Sequence, residues 1–403
     1  MRPRTLTPFL DAFLKRYRKM VFLSGPRQVG KTTMAQAYGA TLGGAQYLNW
    51  DVLPDQRRIV RDPYAFAETL PGSSPLVIFD EIHKYARWKN YLKGAFDRYR
   101  DEFLFIVTGS GRLDLFKKGG DSLMGRYLSL PLLPFTLSES VERFRSFEEF
   151  VRSLSEGPPG PPLRAEYEAL FEFGGFPEPL VRQDKAFYTI WHRERRTQLM
   201  RSDIRDATAI RDISLLEVLS HLLPERIGSP LSINALREDV GVAFETVRSW
   251  LAILTQFYYS FQISPFTGSL ARTLRKETKL YLHDWAELEP APQRFENLVA
   301  AHLLKAARTW TALGEGDFSL HYVRDRERRE VDFVLANRRR PVCLVEAKLG
   351  ETEVSPHLLH FQERLAVPHA VQVVHRTGVA RRLRRNDKRQ WVVSAEQWLG
   401  CLP

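Results

Sequence analysis

"GPRQVGKT", Gly25 to Thr32, is the stretch on which the fold turns. It satisfies G-x-x-x-x-G-K-[ST], with an apolar run before it (Met20–Leu23) and a helical pattern after it (Thr33–Tyr38). The spacing has a chemical reason. Glycines let the backbone curl so that successive N–H groups point at phosphate, and the helix N-terminus that follows adds positive potential. Gly25, Pro26, Arg27, Gln28, Val29, Gly30, Lys31, Thr32 and Thr33 are therefore expected to cradle ATP. Lys31 reaches the β- and γ-phosphates, and Thr32 ligates Mg²⁺.

Outward from this loop, "AQYLNW" (45–50), "PLVIFDE" (75–81) and "FLFIVTGS" (103–110) read as further short strands. Each is separated from the next by enough chain for a helix, the pattern of a parallel α/β sheet. Asp80 ends a buried strand, where ligands collect in open α/β sheets, and is expected to complete the Mg²⁺ shell. Glu81 would act as general base toward the attacking water. Ser110 or Thr108 would sense the γ-phosphate, and Arg126, with Arg112 as competitor, would stabilise charge in its own subunit or a neighbour's.

The chain has 403 residues, too many for one core, so two or three domains are expected. The reading gives an ATPase domain over 1–155, a helical lid over 163–205 after the linker "EGPPGPP" (156–162), a helix-turn-helix over 206–275, and an α/β domain over 280–403. In "SINALREDVGVAFETVRSWLAILTQFYYSFQI" (232–263) a turn at Gly241 separates two helices, and a β-like tail follows, which fits a winged helix.

No run of about 18 apolar residues suggests a membrane span, and the basic N-terminus lacks a signal-peptide core. The two cysteines, Cys343 and Cys401, have no partner at metal or redox spacing, so a cytoplasmic, reducing setting is expected. The formal charge is +11, and residues 290–403 carry 19 Lys/Arg against 13 Asp/Glu. "RRLRRNDKRQ" (381–390) suits phosphate neutralisation on DNA, or merely a solvated surface.

"EVDFVLANRRRPVCLVEAKLG" (330–350) reads as a hairpin with charges at Asp332, Glu346 and Lys348. Glu346 and Lys348 are two apart and so share a face; in register, Asp332 and Glu346 would converge on one divalent ion. Carboxylates on Mg²⁺ or Mn²⁺ beside a lysine make a set suited to phosphodiester cleavage. The same set could also be an ion network that holds a helix against the hairpin.

In order, "SGPRQVGKTT" (24–33), "FDEIHK" (79–84), "VTGS" (107–110), "SLMGRYLSLPLLPFTLSE" (122–139), "FGGFPEPLV" (173–181), "RSDIRDA" (201–207), "KLYLHDW" (279–285), "FENLVAAHLL" (295–304) and the hairpin resemble a large prokaryotic family. Its members join an AAA-type ATPase domain to a C-terminal domain similar to restriction endonucleases of the PD-(D/E)xK type. The resemblance implies α/β folds at both ends. It adds Glu296 as the extra acid of such a site and Gln362 as a contact to metal-bound water or substrate. Two functions follow as expectations: a Mg-dependent ATPase acting on DNA, with or without cleavage, or a nucleotide-dependent switch that binds protein partners. A homo-oligomer is open under both.

Overall fold

The structure, a computed structural model, describes residues 4–68, 75–109, 123–158, 161–205, 208, 210, 212–267, 277–385 and 388–403. The chain divides into two compact units, Met1–Leu133 and Pro134–Pro403.

In the first unit, β1 (Met20–Ser24), β2 (Ala45–Asn49), β3 (Leu76–Asp80), β4 (Leu104–Thr108) and β5 (Tyr127–Pro131) form one sheet in the order β2-β3-β4-β1-β5. Every pairing is parallel. β1, β3 and β4 are buried at all five positions, while the outer β2 and β5 are mostly half-buried. Continuous apolar runs such as "LVIF" thus mark strands covered on both faces, as parallel sheets require. Phe66 packs edge-on against Phe79, Tyr99, Phe103 and Phe105 and centres the core on one face. Because all strands run one way, the P-loop after β1 and the ends of β3 and β4 gather at one edge of the sheet. This mixed α/β unit with its parallel sheet fits a P-loop AAA fold.

The second unit begins with helices. Phe147–Glu156 opens on a capping box, Ser146 with Glu149, and its Phe147 and Phe150 rings pack on Trp310. Residues 134–155, assigned to the ATPase domain from sequence, thus lie in the second unit. The helices Arg164–Phe173, Pro177–Arg182 and Lys185–Gln198 fill the stretch expected to be helical. Ile233–Val240 and Phe244–Gln256 are joined at Gly241, whose φ of 75° supplies the left-handed C-cap.

Eight strands follow: β6 (Ser260–Pro265), β7 (Lys279–Leu282), β8 (Phe318–Arg324), β9 (Glu330–Asn337), β10 (Arg340–Lys348), β11 (His369–Val374), β12 (Ala380–Arg385) and β13 (Lys388–Ser394). They form one sheet in the order β12-β13-β11-β10-β9-β8-β6-β7, which runs across the boundary expected near 275–280. The long helix Ala291–Ala312 packs on β7 to β10, and Pro356–Arg364 packs on β9 to β11. β8, β9 and β10 are antiparallel; β10 and β11 are parallel because the second helix makes the crossover between them. The "RRLRR" run is β12, an edge strand, where charge discourages the addition of a further strand.

Candidate functional site

The phosphate-loop geometry is built by backbone that most residues cannot adopt. Gly25 has φ 152°, and an added Cβ there would sit 2.0 Å from the Leu132 carbonyl oxygen. Gly30, at φ 94°, turns the chain into the helix Lys31–Thr41. The first N–H groups of that helix have no partner within it and face the loop, the arrangement that binds anions. The buried Lys31 ammonium donates to the Gly25 and Pro26 carbonyls at 3.0 and 2.7 Å, so it is held at the mouth of the loop. Arg4, unnoticed in the sequence, is buried and donates to the carbonyls of Val29 and Leu133, tying the loop to the end of β5. An arginine three residues after the start offers no pattern that would reveal this.

Asp80 is the hub. Its Oδ2 accepts from the Thr32 hydroxyl at 2.9 Å and from the Tyr47 hydroxyl at 2.6 Å, and its Oδ1 accepts from Thr108. Thr32 and Asp80 are thus brought together as expected, and Thr108 reaches the same carboxylate. Tyr47 was missed, since "AQYLNW" reads only as a strand. Its phenol is held well above its usual pKa by burial and by the Asp80 carboxylate, so it stays a donor.

Glu81 follows in the left-handed region, φ 53°, with its N–H on the Thr108 carbonyl at 3.1 Å. Burial raises its carboxyl pKa against the pull of Lys84 and Lys31. Its Oε2 lies 3.5 Å from both Lys84 Nζ and His83 Nε2. A non-glycine residue held there costs of order 1–3 kcal/mol, and such strain gathers at functional sites.

Ser110 and Arg112 lie outside the described residues. Arg126 requires a correction: it precedes β5 and accepts from Met20 N–H at 2.9 Å, at the start of β1. One five-residue strand, roughly 16 Å at the usual rise, separates it from the P-loop edge. Its guanidinium is paired with Asp97 through Nε at 2.7 Å and Nη2 at 2.9 Å. A role at its own subunit's phosphates is ruled out.

In the second unit, the β9–β10 register Val345↔Phe333, carried one residue on, sets Glu346 opposite Asp332. Asp332 Oδ2 accepts from Ala347 N–H at 2.9 Å, and Lys348 Nζ lies 3.1 Å from Glu346 Oε1. Glu296 is brought beside them from the long helix and accepts from Tyr281 at 2.8 Å. Burial, then the Asp332 charge, pushes the carboxyls of Glu296 and Glu346 up to about 7. The residue that sequence missed is Lys279, buried among Glu296, Glu330 and Asp332.

Gln362 is a second correction. It is buried, donates to the Pro368 and Arg389 carbonyls, and accepts from Gln390 at 2.7 Å. Those contacts lie at the start of β11, level with Cys343, three residues from the Glu346↔Gln372 level. Gln362 anchors its helix and does not join the carboxylates; Gln372 is the glutamine in register with Glu346.

The two expected metal positions differ. Thr32 and Asp80 offer a hydroxyl and a carboxylate side by side, the hard, sparse donor set with which Mg²⁺ is held together with phosphates and water. In the second unit the carboxylates already surround an ammonium. No group of three or more His, Cys, Asp and Glu among the described residues is placed to hold a metal ion. A divalent ion does not fit there. No helix among the described residues is long and apolar enough to cross a membrane.

Residues 17–141 match the family model of an AAA domain. Residues 164–288 and 293–398 match two domains of unknown function, DUF8612 and DUF4143. An uncharacterized protein of Methanocaldococcus jannaschii is 25% identical over 300 residues, 72% of this chain and 65% of that one. One of Mycobacterium tuberculosis is 23% identical over 266 residues, 66% and 54% of the two chains. The chain thus spans less than two thirds of the length of these relatives.

Among solved structures, AMPPCP-bound DnaA from Aquifex aeolicus aligns at 12% identity over 62% of this chain and 86% of that one, with a TM-score of 0.28. A signal-transduction ATPase with a tetratricopeptide repeat sensor, from Pyrococcus horikoshii, aligns at 13% over 76% and 47%, with a TM-score of 0.26. At such scores these alignments carry no weight for the fold. The AAA match covers the P-loop, Asp80 and all five parallel strands. The first unit therefore carries an AAA-type P-loop domain.

Proposed function

We propose that this protein hydrolyses ATP with Mg²⁺ at the edge of the first unit's sheet and uses the nucleotide cycle as a switch. The observation that carries the hydrolysis reading is the contact of Thr32 with Asp80 at 2.9 Å, beside a P-loop whose lysine is held at its mouth. Lys31 exchanges two backbone carbonyls for phosphate oxygens and orients the β- and γ-phosphates. Thr32 and Asp80 hold Mg²⁺, which when bound neutralises charge on those oxygens. Tyr47 and Thr108 fix the Asp80 carboxylate. Glu81, raised in pKa and fixed by its backbone, takes the proton of the attacking water. ATP turnover and nucleotide binding, measured on Lys31→Ala and Glu81→Gln, test this: the first should lose both, the second only turnover.

A second reading, action on DNA, is favoured by two features. The helices Ile233–Val240 and Phe244–Gln256, followed by antiparallel β6 and β7, have the layout of a winged helix. The edge strand β12 carries Arg381, Arg382, Arg384 and Arg385. Against it, the exposed Arg248 of the second helix is already paired with Glu245, and Arg237 with Glu238. The order helix, β8, β9, β10, helix, β11 supports the resemblance to endonuclease-like domains, yet the ammonium among the carboxylates argues against cleavage. DNA-stimulated turnover would favour this second reading; turnover indifferent to DNA favours the switch.

A further inference from the structure

Lys279, on the edge strand β7, is 1% exposed, and three carboxylates converge on its ammonium. Nζ lies 2.6 Å from Glu330 Oε1, 3.6 Å from Glu296 Oε1 and 3.8 Å from Asp332 Oδ1. Two of these acids come from β9, and the third comes from the helix Ala291–Ala312. The neighbouring oxygens are also engaged. Asp332 Oδ2 takes the Ala347 N–H, Glu330 Oε2 faces Arg324 at 3.5 Å, and Glu296 Oε1 also takes the Tyr281 hydroxyl. One oxygen stands apart. Glu346 Oε2 has no hydrogen-bond partner among the described residues, although Glu346 is only 3% exposed. Glu346 lines a cavity of about 320 Å³ together with Lys348, Ser355 and Gln372.

We infer that Lys279 is the resident cation of this cluster and that a divalent-cation site lies latent beneath it, closed by the lysine's own ammonium. A metal ion would need oxygens of these same acids at about 2.0–2.6 Å, and two cations cannot share that point. Charge leads to the same conclusion. Glu296, Glu330, Asp332 and Glu346 face three cations, Lys279, Lys348 and Arg324, which leaves at most one negative charge uncompensated. Without Lys279 at most two are left, the charge a divalent ion neutralises, and the unpartnered Glu346 Oε2 belongs to the residue opposite Asp332 in the hairpin register. The inference does not rest on ATP hydrolysis and concerns residues of the second unit alone.

The test is Mn²⁺ binding by the nucleotide-free full chain, followed by the loss of the free-ion signal in electron paramagnetic resonance. Wild type should show no binding that Asp332→Asn removes. Lys279→Met should gain about one Mn²⁺ per chain, roughly tenfold or more tighter than wild type. Adding Asp332→Asn to Lys279→Met should abolish the gain. A folded Lys279→Met chain that binds no more Mn²⁺ than wild type overturns the inference, as does wild-type binding lost in Asp332→Asn. If circular dichroism shows Lys279→Met unfolded, Lys279→Gln removes the same charge, and the wild-type comparison with Asp332→Asn decides by itself.

Discussion

Glu81 and Asp80 are adjacent, yet they make different contacts, and the backbone separates them. Asp80 closes a buried strand and collects three hydroxyls, whereas Glu81 turns into the left-handed region and meets Lys84 and His83 instead. Glu81→Gln keeps the shape and removes the proposed base, so it should retain ATP while turnover falls by about 10²–10⁴, the usual contribution of a general base. Tyr47→Phe removes a hydrogen bond to a carboxylate, worth about 1.5–3 kcal/mol. It should lower turnover roughly tenfold or more through a misplaced Asp80, with ATP affinity less affected; single-turnover kinetics and nucleotide titration separate the two. Lys31, Thr32 and Asp80 were legible because their spacing is itself the chemistry. Tyr47, Arg4 and Lys279 were not, because each acts across a fold that brings distant segments together. The own-subunit alternative for Arg126 fails for the same reason, since nothing local says which end of a parallel strand it flanks; its alternative in a neighbouring subunit is a separate matter.

At the scale of elements, alternation and apolar runs disclosed β1 to β4 of the first sheet and the β9–β10 hairpin but not β5, and the Pro/Gly-rich stretch 156–162 lies inside the second unit, not between units. They did not disclose that β6 and β7 join the last sheet, since that pairing links segments far apart in the chain. The hairpin carries a pH signature. Glu346 faces Asp332, Lys348 and Lys279 across the hairpin and β7, with Glu351, Glu353 and His357 around the same cavity. Its carboxyl sits at about 7 in the fold, against about 4.3 in an unfolded chain. The folded state then keeps a proton that the unfolded chain has released. This contribution to stability is full below about pH 4.3 and is lost as pH rises through about 7. Melting temperatures should fall between pH 5 and 8, and Glu346→Gln, neutral throughout, should flatten that fall. An unchanged slope would show that the carboxyl is not buried as described. On β12, Arg381→Ala with Arg382→Ala should leave melting unchanged. If the chain binds DNA through this strand, the salt slope of binding should fall by about two.

At the scale of the whole molecule, an AAA-type P-loop domain is followed in the chain by a second unit whose clustered carboxylates face cations of the same unit. ATP turnover is the activity proposed for the first unit, and the Lys279 cluster of the second unit is independent of it. The most direct measurement is steady-state ATP hydrolysis by the full chain with Mg²⁺, with and without DNA, comparing wild type with Lys31→Ala and Glu81→Gln. Wild type should turn over ATP, neither variant should do so above background, and of the two variants only Glu81→Gln should still bind ATP. Turnover that survives in Lys31→Ala, or a wild-type chain that binds ATP no better than that variant, would contradict the proposed activity.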